Sequence, residues 1–101
     1  MKVEMTFNDA ALEAHGYTRD IVYNALKDEF LQLGLRCTSD NDILSFEDVG
    51  SEDDFANMVG LLVDLVLMDW FLDCTSSCIF YDDGTVEDVL CSAPKIRKML
   101  A

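Results

Sequence analysis

Ser51-Glu52-Asp53-Asp54-Phe55-Ala56-Asn57-Met58-Val59-Gly60-Leu61-Leu62-Val63-Asp64-Leu65-Val66-Leu67-Met68-Asp69-Trp70-Phe71-Leu72 is the stretch on which the fold of this chain turns. Ser51 and Asp54 stand at capping-box spacing, where the hydroxyl takes a backbone amide and the acid reaches back. Glu52, Asp53 and Asp54 also favour the positive end of a helix dipole. Phe55, Met58, Val59, Leu62, Val63, Val66 and Trp70 then repeat at helical spacing and predict one buried face. Leu61, Leu65, Leu67, Met68 and Phe71 spread round the rest of the cylinder, leaving a polar or small stripe at Asn57, Gly60 and Asp64. A helix this apolar must be covered on more than one side. A sheet covers one side; the last helix or a second subunit covers the other. A membrane span needs ~20 mostly apolar residues without buried charge, and Asn57, Asp64 and Asp69 interrupt this one.

Upstream, Leu35 to Asp48 reads as a hairpin. Leu35 and Cys37 face the core from one strand, Leu44 and Phe46 from the other, and Ser39-Asp40-Asn41-Asp42 supplies the turn. Further upstream, Val3, Met5 and Phe7 alternate with Lys2, Glu4 and Thr6, the period of a half-buried strand. Asn8 or Asp9 caps a short turn through Ala10–Ala14 that ends at Gly16. Thr18 caps a long helix carrying Ile21, Val22, Ala25, Leu26, Phe30 and Leu33 on one face, stopped by Gly34.

Downstream, Cys78–Tyr81 predicts a last strand ended by Asp82-Asp83-Gly84. Val86, Val89, Leu90, Ala93 and Ile96 fit a closing helix that Pro94 bends or splits. The alternative is a hairpin of Thr85–Leu90 with Ile79–Tyr81 across Asp83-Gly84, so residues 85–99 are helix or partly strand. The favoured order is β-α-β-β-α-β, a ferredoxin-like α+β sheet with helices on one face and a C-terminal helix appended. At 101 residues, half of them hydrophobic, residues 1–101 form a single acidic domain able to fold without a metal or disulfide staple.

Charge is distributed unevenly. The net formal charge is −13, but residues 1–36 hold six carboxylates against four cations. From Cys37 to Pro94 there are 14 carboxylates and no Lys, Arg or His, and Lys95, Arg97 and Lys98 follow. Such a stretch cannot neutralise itself through local ion pairs. Direct nucleic-acid binding and adhesion to an anionic membrane are both disfavoured, because each needs cations. The opening residues carry acids where a signal peptide needs an apolar run, so a cytoplasmic location is expected. Cys37, Cys74, Cys78 and Cys91 are then expected to be reduced structural thiols.

No active site is legible. His15 is the one histidine and stands beside Gly16, with no cysteine or serine close by in sequence. Acid–base work needs a desolvated carboxyl, and only Asp64 and Asp69 lie within an apolar helix. Cys74-Thr75-Ser76-Ser77-Cys78 is not a C-x-x-C motif, and no second Cys/His pair completes a zinc site. Asp40-Asn41-Asp42 opens like a calcium loop, but Leu44 and Ser45 occupy the fifth and sixth positions. With no glycine-rich phosphate cradle either, the chain is expected to be no enzyme and to hold no cofactor.

The acidic surface remains. Asp40, Asp42, Glu47, Asp48, Glu52, Asp53, Asp54, Asp82, Asp83, Glu87 and Asp88 are expected on turns and helix starts, where they would imitate a line of phosphates and bind a basic protein surface. The bland alternative is a solvated face. A second function class is a homodimeric regulatory or small-ligand-sensing domain, paired through the 51–72 helix.

Thr6-Phe7-Asn8, Gly16-Tyr17-Thr18, Asp53-Asp54-Phe55-Ala56, Asp69-Trp70-Phe71-Leu72-Asp73-Cys74 and Glu87-Asp88-Val89-Leu90 resemble a group of uncharacterised small acidic proteins encoded on mobile elements of gut Firmicutes. The likeness runs over most of the chain. It implies a bacterial cytoplasmic setting among phage or conjugative accessory genes. Such genes include inhibitors of host defence of the anti-CRISPR and anti-restriction type, several of them acidic.

Overall fold

The computed structural model describes residues Met1–Leu100. They form an α+β fold: five helices and one antiparallel sheet of five strands. In chain order these are β1 (Lys2–Phe7), α1 (Asp9–Ala14), α2 (Arg19–Gln32), β2 (Arg36–Asp40), β3 (Leu44–Glu47), α3 (Asp54–Val66), α4 (Asp69–Cys74), β4 (Thr75–Asp82), β5 (Thr85–Asp88) and α5 (Val89–Leu100). The strands lie in the order β2-β3-β1-β4-β5, so β1 is central and β2 and β5 are the edges. No helix among the described residues is long and apolar enough to cross a membrane.

Alternation builds the sheet. Val3, Met5 and Phe7 are buried while Lys2, Glu4 and Thr6 are half-exposed. Val3 is registered with Phe46 on one side and Phe80 on the other, so these three point into the same layer. Phe46 stacks on Phe30 of α2 with ring centroids 4.0 Å apart. The opposite face is polar. Thr6 and Ser77 share a hydroxyl bond of 2.6 Å, Thr38 and Ser45 one of 2.9 Å, and the Lys2 ammonium lies 5.0 Å from the centre of the Tyr81 ring.

Local signals set the helix starts. Asn8 Oδ1 accepts from the Ala11 amide at 3.0 Å and Thr18 Oγ1 from Ile21 at 3.3 Å, the side-chain caps that satisfy otherwise unpaired first-turn donors. Gly34, at φ +83°, follows the end of α2 in the left-handed conformation. On α2 the buried residues are Val22, Tyr23, Leu26 and Phe30. Ile21, expected on that face, is 56% exposed. The face is rotated by one residue because Tyr23 packs its ring on Phe7, 6.0 Å away.

Three expectations are corrected. The 51–72 helix is two helices: the chain leaves α3 at Leu67, Met68 turns extended, and α4 restarts at Asp69. The break turns Phe71 and Cys74 into the core, Phe71 meeting Phe7 edge-on at 6.3 Å. Residues 85–99 are strand first and helix second. Thr85–Asp88 pairs with Ile79–Asp82 across Asp83 and Gly84, at φ +45° and +82°, a two-residue turn of the primed kind. Val86 is therefore not on a helix face and is 63% exposed. Finally, α5 runs from Val89 to Leu100 as one helix with Pro94 inside it. The sheet thus holds a fifth strand that the expected β-α-β-β-α-β order does not contain.

The second cover of α3 comes from within the chain. α5 packs on α3 as well as on β4, and buries Val89 and Ala93.

Candidate interaction surface

The eleven carboxylates singled out in the sequence go to three different places. Register settles this. Lys2 lies opposite Glu47 and Tyr81, so Glu47, Asp48, Asp82 and Asp83 gather at the end of the sheet where β1 begins. Asp40 lies opposite Leu44, itself opposite Met5, so Asp40 and the neighbouring Asp42 sit toward the other end. There they meet cations from α2: Lys27 Nζ binds Asp40 at 2.9 Å and Arg19 approaches Asp42 at 3.6 Å.

Asp54 belongs to the interior. It is 2% exposed, and its Oδ2 accepts backbone amides from Val49 at 2.8 Å, Gly50 at 3.1 Å and Ser51 at 3.0 Å. The reach-back half of the capping box is thus present, extended to three donors. Ser51 Oγ accepts from the Asp53 amide at 3.4 Å. Asp54 is a structural carboxylate and no part of a charged face. Glu47 faces Arg36 at 4.0 Å, and Asp48 holds the Met1 amine at 3.1 Å.

Six remain: Glu52, Asp53, Asp82, Asp83, Glu87 and Asp88. None joins an ion pair among the described residues. The start of α3 lies over β4, with Phe55 against Phe80 at 6.3 Å between ring centroids, which brings the approach to that helix beside the β4–β5 hairpin. Glu52 and Asp53 precede that helix, Asp82 ends β4, Asp83 opens the β4–β5 turn, and Glu87 and Asp88 stand on the edge strand. Asp88 Oδ1 also accepts the Cys91 amide at 3.3 Å and starts α5. Of the basic residues of α5, Arg97 is engaged away from this end. Arg97 binds Asp69 at 2.6 Å, at the start of α4, which leads into the far end of β4.

Between α3 and α5 lies an apolar groove with one of these carboxylates, Glu87, in its lining. Its cavity of about 180 Å³ is lined by Phe55, Val59, Leu62 and Val63 of α3, Val89, Ser92 and Ile96 of α5, and Phe80 and Glu87 of the sheet. Phe55 is 53% exposed there. Glu87 is registered with Phe80 and therefore shares its face, where Ser92 Oγ donates to it at 2.8 Å. The sequence signal for this groove was the stripe Phe55, Val59, Leu62, Val63. Helical spacing marked it as core and was silent on its being half open.

Other candidate groups are placed as follows. His15 Nε2 lies 3.3 Å from Asp73, its ring stacked on Tyr17 at 6.1 Å, on the exposed surface. Asp64 is exposed, and Asp69 is taken by Arg97. Cys74 and Cys78 are buried, Cys37 is half-buried and Cys91 is exposed, so the expectation of structural thiols fits the first two best. Burial pushes the Cys78 thiol up to about 12 and raises Cys74 as well. A nucleophilic thiol needs the opposite shift. No three metal-ligating side chains converge among the described residues.

Comparison of the chain with family models, curated proteins and solved structures finds no match. Fold and surface together define the class: a small α+β domain carrying an apolar groove with one carboxylate, Glu87, in its lining.

Proposed function

We propose that this protein is a non-enzymatic interaction module whose acidic end engages a basic surface of another protein. The observation that carries this is the set Glu52, Asp53, Asp82, Asp83, Glu87 and Asp88, borne by the approach to α3 and by the β4–β5 hairpin over which α3 begins, none of them in an ion pair among the described residues. Carboxylates of one sign on neighbouring elements raise a local field that steers a basic partner and excludes acidic ones. The resemblance to acidic proteins of mobile elements supports a further step. The module acts in a bacterial cytoplasm as an inhibitor of a host defence or nucleic-acid-binding protein, its carboxylates standing in for phosphates. Asp40, Asp42 and Asp54 fall outside this role. We read β1 to β4 with α2 and α3 as the ferredoxin-like split βαβ unit, and β5 as an extension that carries part of the acidic end.

The test is capture of partners from host lysate at about 0.05 M and about 0.5 M salt, beside a triple variant Asp53→Lys, Asp82→Lys, Glu87→Lys. The expected result is a basic partner retained at low salt, released at high salt and absent from the variant. Retention that ignores both salt and charge reversal would refute the proposal.

A further inference from the structure

The groove between α3 and α5 takes Glu87 of the acidic set into its lining, and the two features constrain one another. Its walls are apolar: Phe55, Val59, Leu62 and Val63 on one helix, Val89 and Ile96 on the other, with Phe80 beneath. Pockets for whole small molecules begin at roughly 300 Å³. This cavity, at about 180 Å³, suits a single side chain. The half-exposed Phe55 and the one carboxylate in the lining, Glu87, mark its mouth. Glu87 is spoken for by a neutral hydroxyl only, that of Ser92.

We infer that the groove receives one aromatic or branched aliphatic side chain presented by a Lys/Arg-rich segment of the partner protein. This rests on the interaction-module reading above and adds to it where the partner is gripped and by what. Charge complementarity selects the segment: Glu87 lines the anchor site, Asp88 directly precedes the lining residue Val89, and Glu52 and Asp53 lead into the helix that carries Phe55, so residues flanking the anchor are cationic. Such interfaces concentrate their affinity in a few buried anchors, while rim charges contribute mainly rate and specificity. A second copy of the chain is the other candidate, since Lys95, Lys98, Met99 and Leu100 end α5 as a basic and apolar segment. Each copy carries −13, however, and that repulsion opposes self-association.

Two short lysine peptides separate the outcomes, one with a central phenylalanine and one with a central glycine. The phenylalanine peptide should bind about tenfold or more tighter, the return expected for one buried aromatic ring. It should also shift the methyl resonances of Val59, Val63 and Ile96. Filling the groove with Ser92→Leu, or independently with Val63→Phe, should abolish that preference while both peptides still bind. Equal affinity of the unmodified protein for both peptides would overturn the anchor site while leaving the acidic module standing. Failure of either peptide to bind at low salt would remove the module itself. A concentration-dependent dimer in the absence of peptide, dissolved by Ser92→Leu, would assign the groove to a second copy and overturn the inference.

Discussion

Asp53 and Asp54 are neighbours with the same chemistry and opposite fates. Asp53 is exposed at the N-terminus of α3, whereas Asp54 is buried under three backbone amides. Those donors compensate the cost of taking a carboxylate out of water, which is otherwise several kcal/mol. Asp54→Ala therefore strands the amides of Val49, Gly50 and Ser51, and should destabilise the fold by about 3 kcal/mol in urea unfolding. Asp53→Ala should cost less than about 1 kcal/mol, because its removal leaves no buried group unpaired. The spacing Ser51–Asp54 made the reach-back contact legible in the sequence. Its depth was not, since the same spacing serves exposed helix starts.

Elements show a similar division. β1 and α2 could be read from periodicity and caps, because each buries one face and exposes the other, and the β2–β3 hairpin from its Ser39–Asp42 turn residues. The boundary at Leu67–Met68 could not. Every residue from Leu65 to Met68 is apolar, so helical spacing persists across a point where the chain turns extended. Packing decides it: an unbroken helix would not turn Phe71 and Cys74 toward Phe7 and the sheet. The end of the chain posed the opposite difficulty, because Val86 and Val89 fit one helical stripe although the first belongs to β5. The Asp83-Gly84 turn closes the hairpin, and Asp88 then caps α5. Pro94 sits in the sixth position of that helix and removes the amide that would bond the Leu90 carbonyl. Pro94→Ala should raise the unfolding free energy by roughly 1–3 kcal/mol, measured by denaturant titration, because the residue is exposed and the helix already runs through it.

For the molecule as a whole, repulsion outweighs attraction among surface charges, with 20 acidic residues against 7 basic ones. The ion pairs to Arg19, Lys27, Arg36 and Arg97 are surface pairs, each worth about 1 kcal/mol or less. Screening weakens both contributions, and the larger one is destabilising. Raising sodium chloride from about 0.02 M to about 0.5 M should therefore increase the thermal midpoint by about 5 °C, read by circular dichroism. A fall would mean that the ion pairs dominate. Salt thus acts in opposite directions on this protein, firming the fold while loosening a basic partner. The eleven candidate carboxylates were legible as a set, since the cation-free stretch is a property of composition. Their division into six outside any ion pair, four that are paired and one that is buried was not.

What the amino-acid order alone determined here is local: alternation in β1, the caps at Asn8 and Thr18, the stop at Gly34, and a charge surplus concentrated after Cys37. These follow from interactions within a few residues or from simple counting. The tertiary structure alone decided where the long apolar run breaks, which carboxylates meet, and that a groove stays open between α3 and α5. Each of these depends on contacts between segments far apart in the chain, such as Phe55 with Phe80 and Phe7 with Phe71. Spacing along one helix specifies a face, but only the neighbour that packs against it determines how much of that face is closed.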